Sequence, residues 1–166
     1  MKLTALFFLF IGFTCLHPSI GDSETFSSKE GKFKVTFPST YEETVSESED
    51  QKTVKINCVK GERIMFASYT LHEIEITDHK DMAEVSLDSF VEVLNGSLIS
   101  KSEWKVKGNL GLQSVMTFES KEKIIKIEYR VVLVGQLQYQ LVFIAPADDY
   151  DTKMAAKFFK SFQIIK

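Results

Sequence analysis

The residues best equipped for chemistry in this 166-residue chain lie between His72 and Asp81. His72, Glu73, Glu75, Asp78, His79 and Asp81 supply the imidazoles and carboxylates that ligate first-row transition metals. Strand alternation, however, separates His72 from Glu73 and Glu75, so a site built on His72, His79 and Asp81 requires the following loop to fold back. A polar strand end followed by a helix cap explains the same letters, and no metal is expected. Cys58 could pair with a histidine as a nucleophile. It instead continues the alternating face of Val54 and Ile56, where a thiol behaves as a small hydrophobe.

Other signatures are missing. The chain has no Gly-x-Ser-x-Gly, Cys-x-x-Cys or His-Glu-x-x-His, and no glycine-rich phosphate loop. Asp148, Asp149 and Asp151 lack the alternating ligands and glycine of a calcium loop and read as helix caps. Lys101, Lys105 and Lys107 surround Trp104, but Glu103 interrupts the patch. Asn95-Gly96-Ser97 spells a glycosylation sequon and also a natural helix stop. No catalytic residue and no cofactor are expected.

Composition narrows the classes. With 20 Lys+Arg against 23 Asp+Glu, the net charge of −3 argues against a nucleic-acid binder. A hydrophobic share of 44%, with only eight glycines and three prolines, excludes low-complexity and collagen-like chains. Lys2 followed by the apolar run Leu3–Leu16, then Ser19 and Gly21, reads as a secretory signal peptide over 1–21. The run is too short for a bilayer span, which takes about 20 residues. Phe13-Thr14 before Cys15 is a poor lipoprotein signal, so no lipid anchor is expected. The expected product is secreted or periplasmic, with one domain over 22–166. Its one remaining cysteine, Cys58, leaves burial as the source of stability.

The elements that must position these groups follow from periodicity. Lys32–Pro38 alternates strictly and Pro38 ends the strand. Ser46–Lys52 is an acidic hairpin tip; Val54–Cys58 and Arg63–Ile76 are strands. Ala83, Leu87, Phe90, Val91 and Leu94 take helical spacing, capped by Asp81 with Glu84. A second helix carries Met154, Ala155, Phe158, Phe159 and Phe162. Strands are expected over Ser102–Lys107, Leu112–Ser120, Lys123–Val134 and Leu137–Ala145. A two-residue turn at Gly135-Gln136 would set Arg130 and Glu128 beside Leu141 and Phe143. A three-residue loop, Val134–Gln136, makes the two apolar sets coincide and is the expected register. The fold class expected is α+β, an α-β-α sandwich with a central antiparallel sheet and helices on both faces.

Two segments resemble the PsbP-like family: Gly31–Pro38, an opening strand ending in proline, and Gly135–Phe162, with Tyr139-Gln140-Leu141 before Phe158-Phe159-Lys160-Ser161-Phe162. The resemblance implies that same sandwich, shared with Mog-type Ran-binding and DcrB-type bacterial proteins, and a non-enzymatic accessory role. The leading expectation is an exported module that binds a protein partner. Its expected contact residues are Glu47, Glu49 and Asp50 on the tip and His72, Glu73, Glu75, Asp78 and His79 beyond it. A carrier of a small apolar ligand is the alternative, and a hydrolase the weaker one.

Overall fold

The computed structural model describes residues 23–165. The expected signal peptide over 1–21 and Cys15 lie outside the described residues. The strands are β1 (Glu24–Ser28), β2 (Phe33–Phe37), β3 (Glu42–Glu47), β4 (Gln51–Lys60), β5 (Arg63–His72), β6 (Ser97–Val106), β7 (Asn109–Ser120), β8 (Lys123–Val134), β9 (Leu137–Pro146) and β10 (Gln163–Ile164). Helix α1 (His79–Val93) joins β5 to β6, and α2 (Thr152–Ser161) joins β9 to β10. Seven strands form one antiparallel sheet in the order β3-β4-β5-β9-β8-β7-β6, and β1-β2-β10 form a second, smaller one.

Alternation explains how one sheet serves two cores. Tyr139, Leu141 and Phe143 of β9, with Val132 of β8, join one cluster, which also takes in Phe33, Val35 and Phe37 of β2 and Ala155, Phe158 and Phe159 of α2. The intervening residues, Val142 of β9 and Ile127, Tyr129, Val131 and Leu133 of β8, join Ala83, Leu87 and Phe90 of α1 in another. Sheet dominates this fold. The expected sandwich of two helical layers is corrected on one side, where α2 shares its layer with the small sheet.

Local chemistry sets the helix ends. Asp78, not Asp81, caps α1: its Oδ1 accepts the backbone N–H of Asp81 at 2.9 Å. Asn95 adopts a left-handed φ of 49° beyond the last turn. There the N–H groups of Asn95 and Gly96 donate to the carbonyls of Glu92 and Val91, a Schellman stop. Of the three aspartates before α2, only Asp151 caps, accepting from the N–H groups of Lys153 and Met154. Asp149 instead pairs with Arg63 at 2.6 Å.

The register of β8 and β9 overturns the expected three-residue loop. Val134 pairs with Leu137, Arg130 with Leu141 and Glu128 with Phe143. Gly135 takes φ 60° at the first position of a two-residue turn, a conformation glycine adopts without strain. The register expectation required the two most apolar sets to share one face, although the expected sandwich already covered both. With both faces covered, the two apolar sets need not coincide.

Candidate functional site

Strand pairing brings together segments that are distant in sequence. Gln51 at the start of β4 sits opposite His72 at the end of β5, which places the β3–β4 tip beside the residues after His72. The backbone N–H of Glu73 donates to the carbonyl of Asp50 at 3.0 Å, and that of His72 to the carbonyl of Gln136 in the β8–β9 turn at 3.0 Å. Glu47, Glu49, Asp50 and Glu73 therefore gather at one end of the large sheet, all exposed. Exposed Ile74 follows immediately. Lys52 is the cation of this end: its Nζ lies 2.8 Å from Glu30 and 3.8 Å from Glu47. Glu30 also accepts the Tyr69 hydroxyl at 2.7 Å. The hydrogen bond from Lys52, followed by that from Tyr69, holds the Glu30 carboxyl below its usual range. Burial, and then the bond to Glu30, pushes Tyr69 up to about 12.

The remaining expected site residues divide differently. His72 is not an accessible contact residue, being only 8% exposed with its Nε2 3.3 Å from Gln138 Oε1. Asp78 is committed to the helix cap, while His79 and Asp81 lie in the first turn of α1. Glu75 is exposed on the connection between β5 and α1. Among the described residues, no three His, Cys, Asp or Glu side chains gather as a metal site would require. His72, His79 and Asp81 thus do not form such a group.

Burial lowers the pKa of His72 below its ordinary 6.5, opposed by the bond to Gln138. The unfolded chain therefore binds this proton more readily, and stability attached to neutral His72 is lost as pH falls through and below 6.5. His72→Gln is expected to lose less stability than the wild type between pH 7 and 5. Parallel denaturation profiles of the two proteins over that range would refute the assignment.

Cys58 is buried, with its Sγ 3.2 Å from Ser39 Oγ, and desolvation raises its thiol above the usual value. Such a thiol is inert. Thiol reagent is expected to label it only on unfolding, and Cys58→Ser to cost about 1–2 kcal/mol, Ser39 softening the burial of a hydroxyl. Rapid labelling of the native protein would contradict this placement.

A group that the sequence reading did not single out occupies the face carrying α2. Lys126, Glu128 and Arg130 alternate along β8, all half-buried. Arg130 lies 4.2 Å from the centre of the Phe159 ring and 5.5 Å from that of Trp104, while Lys126 Nζ lies 4.0 Å from that of Tyr150. The Tyr150 hydroxyl donates to Glu128 Oε1 at 2.7 Å. Burial lowers the guanidinium pKa of Arg130, against the opposing charge of Glu128. The signal was present in the two-residue turn, which sets these charges beside Leu141 and Phe143. Aromatic cover and the Tyr150 bond make that register tolerable.

No family model matches the chain, and no curated protein matches it in sequence. Solved structures do match. The solution structure of cyanobacterial PsbP (CyanoP) from Synechocystis sp. PCC 6803 aligns with a TM-score of 0.59 at 12% identity, covering 92% of this chain and 98% of that one. The fold is PsbP-like. A crystal structure from Bacteroides thetaiotaomicron aligns with a TM-score of 0.53 at 15% identity, over 89% of this chain. The chain spans half the length of that protein. At these identities the likeness is one of fold. Within the PsbP-like fold, the proline-ended strand β2 and the aromatic helix α2 are packing elements, whereas the acidic end lies on the β3–β4 and β5–α1 connections. Among the described residues, no helix is long and apolar enough to cross a membrane.

Proposed function

We propose that the protein is an exported, non-catalytic accessory module that binds a protein partner through the acidic end of its large sheet. The carrying observation is the convergence of Glu47, Glu49, Asp50 and Glu73, joined by the Asp50–Glu73 backbone bond. These four exposed carboxylates, Glu47 at the end of β3 and the others on the connections, serve neither capping nor the core, and loops on a rigid scaffold commonly carry recognition. The chemistry favours a basic partner. Export rests on the reading of Lys2 and the apolar run after it. The likeness to cyanobacterial PsbP supports an accessory role over an enzymatic one.

The apolar-carrier reading gains little. A cleft between β2 and α2, lined by Phe37, Pro38, Met154 and Phe158 among others, holds about 150 Å³. Small-molecule sites usually run to about 300–1,000 Å³.

Carbodiimide cross-linking of carboxylates to partner lysines in an envelope extract tests the binding reading. Wild type is expected to give a salt-sensitive conjugate mapping to Glu47, Glu49, Asp50 or Glu73. Replacing Glu47–Asp50 by Ser/Gly, or Glu73 by Ser, should remove most of that conjugate and move the unfolding midpoint by no more than about 2 °C. Undiminished conjugation in both variants would overturn the reading. So would turnover of a substrate by wild type that His72→Ala loses.

A further inference from the structure

Arg130 is a half-buried cation with neither an ion pair nor a hydrogen bond among the described residues; its neighbours are the Phe159 and Trp104 rings. Aromatic rings attract the charge of a guanidinium but accept none of its five N–H groups. The Arg130 nitrogens are not fully buried, so the fork keeps contact with water and is open to a ligand; a carboxylate is an acceptor that matches it with two bonds. The surroundings extend the surface across three strands. Gln113 of β7 stands opposite Arg130, and Ser102 of β6 stands opposite Gln113, whose Nε2 donates to Ser102 Oγ at 3.1 Å. Lys126 adds a second cation on the same face of β8, while Glu128 between them is engaged by Tyr150.

We propose that Arg130 anchors a carboxylate from an acidic segment of a protein partner laid across β6, β7 and β8. The row is open at Ser102, which suits an extended peptide better than an enclosed small molecule. Half-buried Trp104 offers apolar surface to the stem of the bound side chain, while Phe159 lies buried against the guanidinium. A phosphate would engage the same fork, so it is set against a carboxylate as a competing outcome of the test. This surface uses other elements than the acidic end and calls for the opposite charge in its partner.

Trp104 is the chain's single tryptophan, so its fluorescence reports on the site directly. The full chain is titrated at low salt with a hexaglutamate peptide, with inorganic phosphate and acetate as competitors. A saturable change is expected, weakening as salt rises. Arg130→Lys, which keeps the charge and loses the fork, is expected to bind about tenfold more weakly, and Arg130→Gln to show no saturation. Replacing Glu47–Asp50 by Ser/Gly should leave this titration unchanged, so failure here is distinguishable from failure at the acidic end. Thermal unfolding of each variant is measured alongside. If Arg130→Gln is unfolded, Arg130→Lys decides the matter. No saturation in wild type, wild-type affinity in Arg130→Lys, or displacement of the peptide by phosphate at lower concentration than by acetate would overturn the proposal.

Discussion

Replacing Phe33 with alanine is expected to remove about 3–5 kcal/mol of stability, the usual cost of emptying a fully buried phenylalanine site. Phe33 has no exposed surface and lies at the centre of an aromatic cluster. Its ring centre lies 5.6 Å from that of Phe26, 5.9 Å from Tyr69, 5.6 Å from Tyr139 and 5.7 Å from Phe162. Those partners come from β1, β5, β9 and the end of α2, so one ring ties the small sheet, the large sheet and the second helix together. Little can collapse into the space, because its neighbours are held by separate elements. Urea denaturation should show a lower midpoint with an unchanged slope, while Phe33→Leu should lose much less. A loss below about 1 kcal/mol would mean that this cluster does not join the two sheets.

Alanine at Gly111 is expected to cost about 3 kcal/mol and to lower the unfolding temperature by about 6–12 °C. Gly111 sits in β7 between Trp104 on β6 and Val132 on β8. A Cβ there would collide with the Val131 carbonyl oxygen and stand 2.8 Å from Val132 Cβ. The first of these is backbone, so no rotamer change relieves the clash and the strands must separate locally. Trp104 emission should shift as β6 moves. Wild-type stability and emission in Gly111→Ala would show that β7 and β8 are not so closely apposed. A strand glycine with no turn beside it is thus required by the approach of its neighbour, a reason that sequence periodicity does not display.

Local signals made much of this fold legible. The alternation of Phe33, Val35 and Phe37 and the stop at Pro38 mark β2, and the stripe Ala155, Phe158, Phe159 and Phe162 marks the buried side of α2. Cys58 was readable as core because it continues the Val54 and Ile56 face of a single strand. Each of these judgements needs only the period of one element. The acidic tip was readable as exposed for the same reason, since its run of charge has no apolar partner within the hairpin.

What escaped the sequence depends on which elements share a layer. The β8–β9 turn length was decided by coverage of both sheet faces, and that coverage comes from α1 on one side and α2 with the small sheet on the other. His72 looked like a surface ligand because its neighbours Glu73 and Glu75 are polar, yet β4 and β9 flank the end of β5 and bury it. The Arg130 site exists only once α2 lays Phe159 against β8. By itself the sequence determined β2, β4, β5, β6, β7, β8 and β9, the two helices and the acidic tip, because these follow from local period and propensity; β1, β3 and β10, short or largely exposed, carry no such signal. The tertiary structure decided the register, the meeting of Asp50 with Glu73 and the aromatic setting of Arg130, because each depends on contacts between residues far apart in the chain.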